Sequence, residues 1–207
     1  MVEQNCQSSN PVKLELEVIS VKPKVFFIEN FLNSFEADEL VRIAMPAMFP
    51  SEVGFESFPS ETRTSRNGWI ERQRSSMIDS LYRRAADAVQ IDEALLYPEL
   101  SAEYIQVVHY KEGQKYDAHH DWGVVGYPEC RFITMLLYLS EPADADAGGE
   151  TSFPKAVTEF GFKVRPKKGS AVLLYNLLED GNADYLALHG SLEVRKGEKW
   201  LANFWIW

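Results

Sequence analysis

Cysteine is nearly absent from this chain: Cys6 and Cys130 are the only two in 207 residues. Two cysteines so far apart make neither a disulfide framework nor a Cys-x-x-Cys zinc site. Positive charge is also in deficit. Lys and Arg total 21 against 31 Asp and Glu, a net charge of −10. That excludes a general binder of nucleic-acid backbone, which needs basic surface to displace counterions, and it disfavours docking on anionic lipid. Long apolar runs are missing as well. The longest charge-free run is ten residues, Gly169 to Leu178, half of what a membrane-spanning helix needs. The first 20 residues contain no apolar leader segment, so the expectation is a soluble, cytoplasmic chain in a reducing compartment. What is present is ordinary globular material, 45% hydrophobic and 13% aromatic. The expected organisation is a flexible polar segment over residues 1–20 and a single domain over 21–207.

The pattern along the chain changes midway. Val18 to Ile28 is β-rich. Ser34 is a candidate N-cap for a helix with Ala37, Leu40, Val41 and Ala44 on one face, ended by Pro46. Residues 50–70 carry no clear period and read as a long loop or a short hairpin. Ser76 and Asp79 resemble a capping box for a second helix with Ile78, Leu81, Tyr82, Ala85, Ala88 and Val89 as its apolar stripe. After Glu103, short β-branched and aromatic runs alternate with turn signals such as Gly148-Gly149 and Lys196-Gly197. Helices followed by many short strands predict an α+β fold with a sandwich or barrel core.

The four histidines are His109, His119, His120 and His189. His119 and Asp121 lie two apart at the end of a predicted strand, so they share a face. His189 comes from a different predicted strand. Two imidazoles and one carboxylate, with open positions left over, form the facial triad of non-haem iron(II) oxygenases. A His-x-Asp pair by itself also occurs as an ordinary surface pair. His120 faces away from Asp121, and His109 shares a face with Ile105 and Val107, which favours a structural role. Ten residues past His189, Lys199 opens the last predicted strand. A lysine inside a small barrel is costly without an anion, whereas one at a strand end is simply solvated. Tyr110 and Thr151 have hydroxyls that can join Lys199 on a carboxylate. Trp200, Trp205 and Trp207 read as packing residues.

Several runs together carry a resemblance. Residues 106–116 (QVVHYKEGQKY) precede His119-x-Asp121; Arg131 to Leu139 (RFITMLLYL) follows; then come Gly148 to Pro154 (GGETSFP), Pro166-Lys167-Lys168-Gly169, Leu188-His189-Gly190 and Lys196 to Trp200 (KGEKW). In this order and spacing they resemble the catalytic domain of prolyl 4-hydroxylases, over roughly residues 24 to 207, and Arg63-Thr64-Ser65 is similar to that family's early loop. The distal lysine matches the plant, algal and collagen-modifying type rather than the oxygen sensors, which use arginine there.

The resemblance implies a double-stranded β-helix (jelly-roll) core with supporting N-terminal helices, so that 21–207 is one dioxygenase domain. It implies Fe(II), 2-oxoglutarate and O2 as cofactors, with ascorbate as reductant, and a proline-containing peptide or protein as substrate. It implies that His119, Asp121 and His189 ligate iron. Lys199 pairs with the far carboxylate of 2-oxoglutarate, helped by Tyr110 and Thr151, while Tyr116 and Arg131 line the peptide site. The segments Arg63 to Trp69 and Trp122 to Cys130 are expected to flank the peptide groove. The nine residues between Asp121 and Arg131 are few for this family, and its secretory disulfides are absent. The competing readings are the same oxygenase machinery acting on another protein target, and a jelly-roll binding module without activity.

Overall fold

The computed structural model describes residues 13–53, 58–59, 62–97, 100–123, 130–158 and 160–207. The chain opens with an antiparallel hairpin, β1 (Leu16–Val21) and β2 (Lys24–Ile28). The boundary expected after residue 20 therefore falls inside a strand; Cys6 and residues 1–12 lie outside the described residues. Helix α1 (Ser34–Ala44) follows, then the short strands β3 (Phe49–Pro50), β4 (Glu52–Val53) and β5 (Phe58–Pro59), and β6 (Arg66–Ile70). Helix α2 spans Ser76–Val89. The remaining strands are β7 (Ile105–Lys111), β8 (Tyr116–His119), β9 (Ile133–Tyr138), β10 (Thr151–Phe153), β11 (Phe162–Val164), β12 (Ala171–Tyr175), β13 (His189–Ser191) and β14 (Glu198–Ile206).

Among the described residues two antiparallel sheets face each other. The larger has the order β1-β2-β12-β9-β14-β7-β6-β3, and the smaller β11-β10-β13-β8. This is the expected jelly-roll architecture. β14 holds the centre of the large sheet, paired on one side with β7 and on the other with β9. Its period-two alternation separates two environments. Trp200, Ala202, Phe204 and Ile206 join the core beneath the helices, with Leu40, Ile78, Leu81, Tyr82, Ile105, Met135 and Leu173. Lys199, Leu201, Asn203 and Trp205 turn to the space between the sheets, where Leu201 packs with Leu136, Tyr138, Val172 and Leu174.

The helices brace the outside of the large sheet. Both caps sit one residue before the expected position. Asn33, not Ser34, caps α1, with its side chain on the Glu36 amide and Glu36 reaching back to the Asn33 amide. Ser75, not Ser76, caps α2 by accepting from the Ile78 amide. In each pair both residues have cap-competent side chains, and the extended backbone of the first decides. Glu36 also takes a bidentate pair from Arg84 at 2.8 Å, tying α1 to α2 in a buried setting.

Two strands were not legible in the residue pattern. Arg66–Ile70 lacks apolar alternation, yet it forms a full ladder with β7. Thr151–Phe153 is three residues long and bridges β11 and β13. The short β4–β5 pairing falls within the stretch expected to be a loop or short hairpin.

Candidate metal centre and co-substrate pocket

β8 and β13 are antiparallel neighbours, and their register sets His119 opposite His189. Gly190 lets the two backbones come this close. A Cβ there would stand 2.8 Å from the Tyr116 carbonyl oxygen and 2.9 Å from the Ala118 nitrogen. β8 ends at His119, and the bend that follows carries Asp121 to the same point. His119 Nε2 lies 3.3 Å from Asp121 Oδ1, and His189 Nε2 lies 3.6 Å from Asp121 Oδ2. One ligand atom from each residue falls within a cluster no wider than 4.8 Å. Among the described residues this is the only such group of His, Cys, Asp and Glu.

The surroundings prepare these groups as ligands. His119 Nδ1 donates to the Asp117 carbonyl at 2.9 Å, and His189 Nδ1 to the Ala187 carbonyl at 3.0 Å. Each ring thus holds its proton on Nδ1 and turns the Nε2 lone pair inward, the usual way a protein fixes a metal-binding tautomer. Asp121 Oδ2 accepts from the Thr134 hydroxyl at 2.6 Å and from the Trp205 indole at 2.8 Å. Burial alone would raise the Asp121 carboxyl, but His189, His119 and Arg131 outweigh it and hold the group well below the usual range. Burial lowers the His189 imidazole, against the pull of Asp121. An ionised carboxylate and a neutral imidazole are the protonation states that a divalent metal requires. Asp121 and His189 are buried, whereas the His119 side chain keeps 25% exposure and marks the open side.

Lys199 lies deeper between the sheets, 4% exposed. Its ammonium donates to Ser191 Oγ at 2.8 Å, linking β14 to β13, and lies 5.5 Å from the Tyr110 ring centroid and 6.0 Å from that of Tyr138. Among the described residues no carboxylate comes within ion-pairing distance of it. Burial pushes its pKa down to about 7, with Glu150 opposing. Tyr110 is the cross-strand partner of Lys199. Burial raises its phenol to about 12, so it stays a neutral donor. Thr151 is the cross-strand partner of Ser191, and its oxygen accepts from the Tyr138 hydroxyl at 2.8 Å, leaving its own proton to give. Gly149, at φ +76°, places its Cα beside the Lys199 stem, where an added Cβ would meet Cδ at 3.4 Å. A buried lysine with no carboxylate in reach among the described residues has the chemistry to accept one from a bound molecule.

Around the open side stand Tyr116, Arg63 and Arg131. The Tyr116 ring stacks on His119 with centroids 3.8 Å apart, and the Arg63 guanidinium lies 4.8 Å over the Tyr116 ring. Arg131 makes a bidentate pair with Glu103 at 2.5 and 2.9 Å, covers the Trp205 ring at 3.7 Å, and reaches within 3.9 Å of Asp121. Trp205, expected to be packing alone, is a direct hydrogen-bond partner of Asp121. Thr134, Ser191 and Asn176 also went unnoticed, because a lone hydroxyl or amide carries no spacing signature. His120 turns away, as expected. His109 is structural, stacked on Trp200 at 4.0 Å and bonded to Glu198 at 2.7 Å. Of the expected groove segment after Trp122, residues 124–129 lie outside the described residues.

Residues 105–207 match the family model of the 2OG-Fe(II) oxygenase superfamily. Over 213 residues the chain is 34% identical to probable prolyl 4-hydroxylase 8 of Arabidopsis thaliana, covering 92% of this chain and 70% of that protein. It is likewise 34% identical over 223 residues to prolyl 4-hydroxylase 2 of the same plant, covering 95% and 71%. The chain belongs to the prolyl 4-hydroxylase family. Its fold agrees with other prolyl hydroxylases. The viral collagen prolyl hydroxylase of Paramecium bursaria Chlorella virus-1, solved as a 2OG complex, superposes with a TM-score of 0.68 at 27% identity over 88% of this chain and 94% of that one. A Pseudomonas putida prolyl-4-hydroxylase shares the fold at 20% identity and a TM-score of 0.64, over 88% and 91%. As a member of this family the chain is an Fe(II)- and 2-oxoglutarate-dependent dioxygenase. No helix among the described residues is long and apolar enough to cross a membrane.

Proposed function

We propose that this chain hydroxylates proline residues in peptide or protein substrates, with His119, Asp121 and His189 holding Fe(II). Lys199, Tyr110 and Thr151 hold the far carboxylate of 2-oxoglutarate, and ascorbate serves as reductant. The chain from β1 onward acts as one catalytic domain, on substrates that are neither nucleic acid nor membrane lipid. The observation that carries this reading is the pairing of two incomplete sites between the same sheets: three converging side chains within 4.8 Å, and a buried lysine without a carboxylate partner among the described residues. A metal completes the first and a dicarboxylate the second.

Bound together, Fe(II), 2-oxoglutarate and O2 supply a two-electron oxidation in which the keto acid yields succinate and CO2, and one oxygen atom enters a substrate C–H bond. The protein's own contribution is orientation and shielding. Lys199 and its two hydroxyl partners fix the far end of the co-substrate, so its keto end is directed toward the metal ligands. The Trp205 and Thr134 donors hold Asp121 in one rotamer. Tyr116 and Arg131, near His119 and Asp121, receive the peptide. The apolar wall of Leu136, Val172, Leu174 and Leu201 keeps water from the interior.

The test is incubation of the protein with Fe(II), 2-oxoglutarate, ascorbate and a proline-rich peptide. Succinate is quantified and the peptide is fragmented by mass spectrometry. The expected result is succinate formation with added oxygen on proline. Oxygen on another residue would redirect the substrate assignment, and absence of succinate from iron-loaded protein would overturn the activity.

A further inference from the structure

The end of β8 presents side chains in two directions. His119 and Asp121 converge on His189. The alternate residues His120 and Trp122 reach instead to the segment that leads into β13. His120 Nε2 donates to the Tyr185 carbonyl at 3.2 Å, and Trp122 Nε1 donates to the Asp184 carbonyl at 3.2 Å. The two rings lie 4.5 Å apart, and both meet the Tyr185 ring edge-on, at 5.9 and 5.0 Å.

Those two carbonyls open the single helical turn Tyr185–Ala187. The Asp184 carbonyl also accepts the Ala187 amide at 3.1 Å, and the buried Asp184 side chain caps the turn through the Leu186 amide at 2.8 Å. The Ala187 carbonyl is the acceptor that orients His189 through Nδ1. From the other side, the Asp184 amide donates to the Asn176 carbonyl at 2.9 Å. The Asn176 side chain donates to Thr134, and Thr134 to Asp121. The turn is therefore bonded directly to His189 and, through Asn176 and Thr134, to Asp121, two of the three converging residues. The contacts from His120 and Trp122 join it to the strand end that carries the third.

We propose that His120 and Trp122 are positioning residues. By pinning the Asp184 and Tyr185 carbonyls they fix the turn before β13, and so aim His189 Nε2 at the metal shared with His119 and Asp121. This rests on the reading of those three residues as metal ligands. One run of four residues then serves twice: its odd members bind the ion, and its even members hold the loop that delivers the remaining imidazole. Partners that orient a ligand are worth roughly 10–100-fold in metal affinity even when they never touch the ion.

The experiment compares metal-free wild type with Trp122→Phe, which keeps a ring against His120 and Tyr185 but loses the N–H. Each is titrated with Co(II), followed by its visible d–d bands. The expected result is Co(II) affinity weaker by roughly 10–100-fold in the variant, with shifted bands. A second measurement uses the unaltered protein: exchange of the Trp122 indole proton by NMR, with and without saturating Zn(II). It is expected to slow when Zn(II) binds, because coupling between turn and metal acts in both directions. Wild-type affinity and bands in Trp122→Phe, or indole exchange indifferent to Zn(II), would overturn the proposal. A merely structural role would lower the melting midpoint of the metal-free variant and leave the Co(II) bands in place. Failure of wild type itself to take up Co(II) would instead remove the metal-centre reading, and this inference with it.

Discussion

His119 and His189 stand opposite each other across β8 and β13, their rings 4.8 Å apart and inclined at 47°. Neither ring can be lost without leaving the other beside a buried, ionised Asp121. His189→Ala is therefore expected to bring succinate formation to background and to abolish tight Co(II) binding. Turnover near wild type would show that the ligand set is misassigned.

Lys199 gives a prediction with two signs. Lys199→Met removes the charge proposed to receive the co-substrate. Truncating one member of a buried charged pair costs about 2–5 kcal/mol, or roughly 30-fold to several-thousand-fold in the 2-oxoglutarate KM. The ligand-free protein should behave differently. Among the described residues its buried ammonium has only a serine oxygen as bonded partner, so Met should leave the melting midpoint unchanged or raise it. A large drop in stability would mean that the lysine is neutralised from within the protein.

The same residue sets a pH dependence. Its pKa is lowered from 10.5 to about 7 in the folded protein. Between those values the unfolded chain binds more protons than the folded one. Stability of the ligand-free protein should therefore rise with pH across this window, relative to Lys199→Met. Binding of a dicarboxylate needs the charged form, so 2-oxoglutarate should take up a proton above pH 7 and bind more weakly as pH rises. Calorimetry at pH 8 in buffers of different ionisation enthalpy checks this; zero proton uptake would contradict it.

Gly190→Ala tests how closely β8 and β13 must approach. The new methyl would meet backbone atoms of Tyr116 and Ala118 at under 3 Å, and backbone cannot step aside cheaply. A loss of about 1–3 kcal/mol in unfolding free energy is expected, with weaker metal binding because the two histidine-bearing strands are pushed apart. Urea unfolding and Co(II) titration measure the two effects separately.

Much of this was legible in the residues because the chemistry sits on short spacings. His119-x-Asp121 and the isolated His189 converge as the triad reading implied, and short β-branched and aromatic runs marked β7, β9, β12 and β14. Three things were not legible. β6 opens with Arg66, Asn67 and Gly68, which carry no hydrophobic signal, and it is a strand because β7 offers it an edge to pair with. Helix caps shifted by one residue because adjacent Asn–Ser and Ser–Ser pairs are chemically equivalent as caps. Trp205 read as core because an indole N–H becomes informative only once a carboxylate stands 2.8 Å from it. The strand and the indole depend on partners distant in sequence, which no local pattern encodes; the caps depend on the backbone of one residue.

β14 comes later in the sequence than both β7 and β9, yet it fills the gap between them. During synthesis those two strands emerge first, and their facing edges have no partner until residues 198–206 leave the ribosome. The same nine residues bring Lys199 and Trp205. Closing the sheet and installing the proposed co-substrate receptor are therefore one event. A nascent chain that still exposes these edges also lacks the means to engage 2-oxoglutarate, and the small molecule can reward only the finished topology.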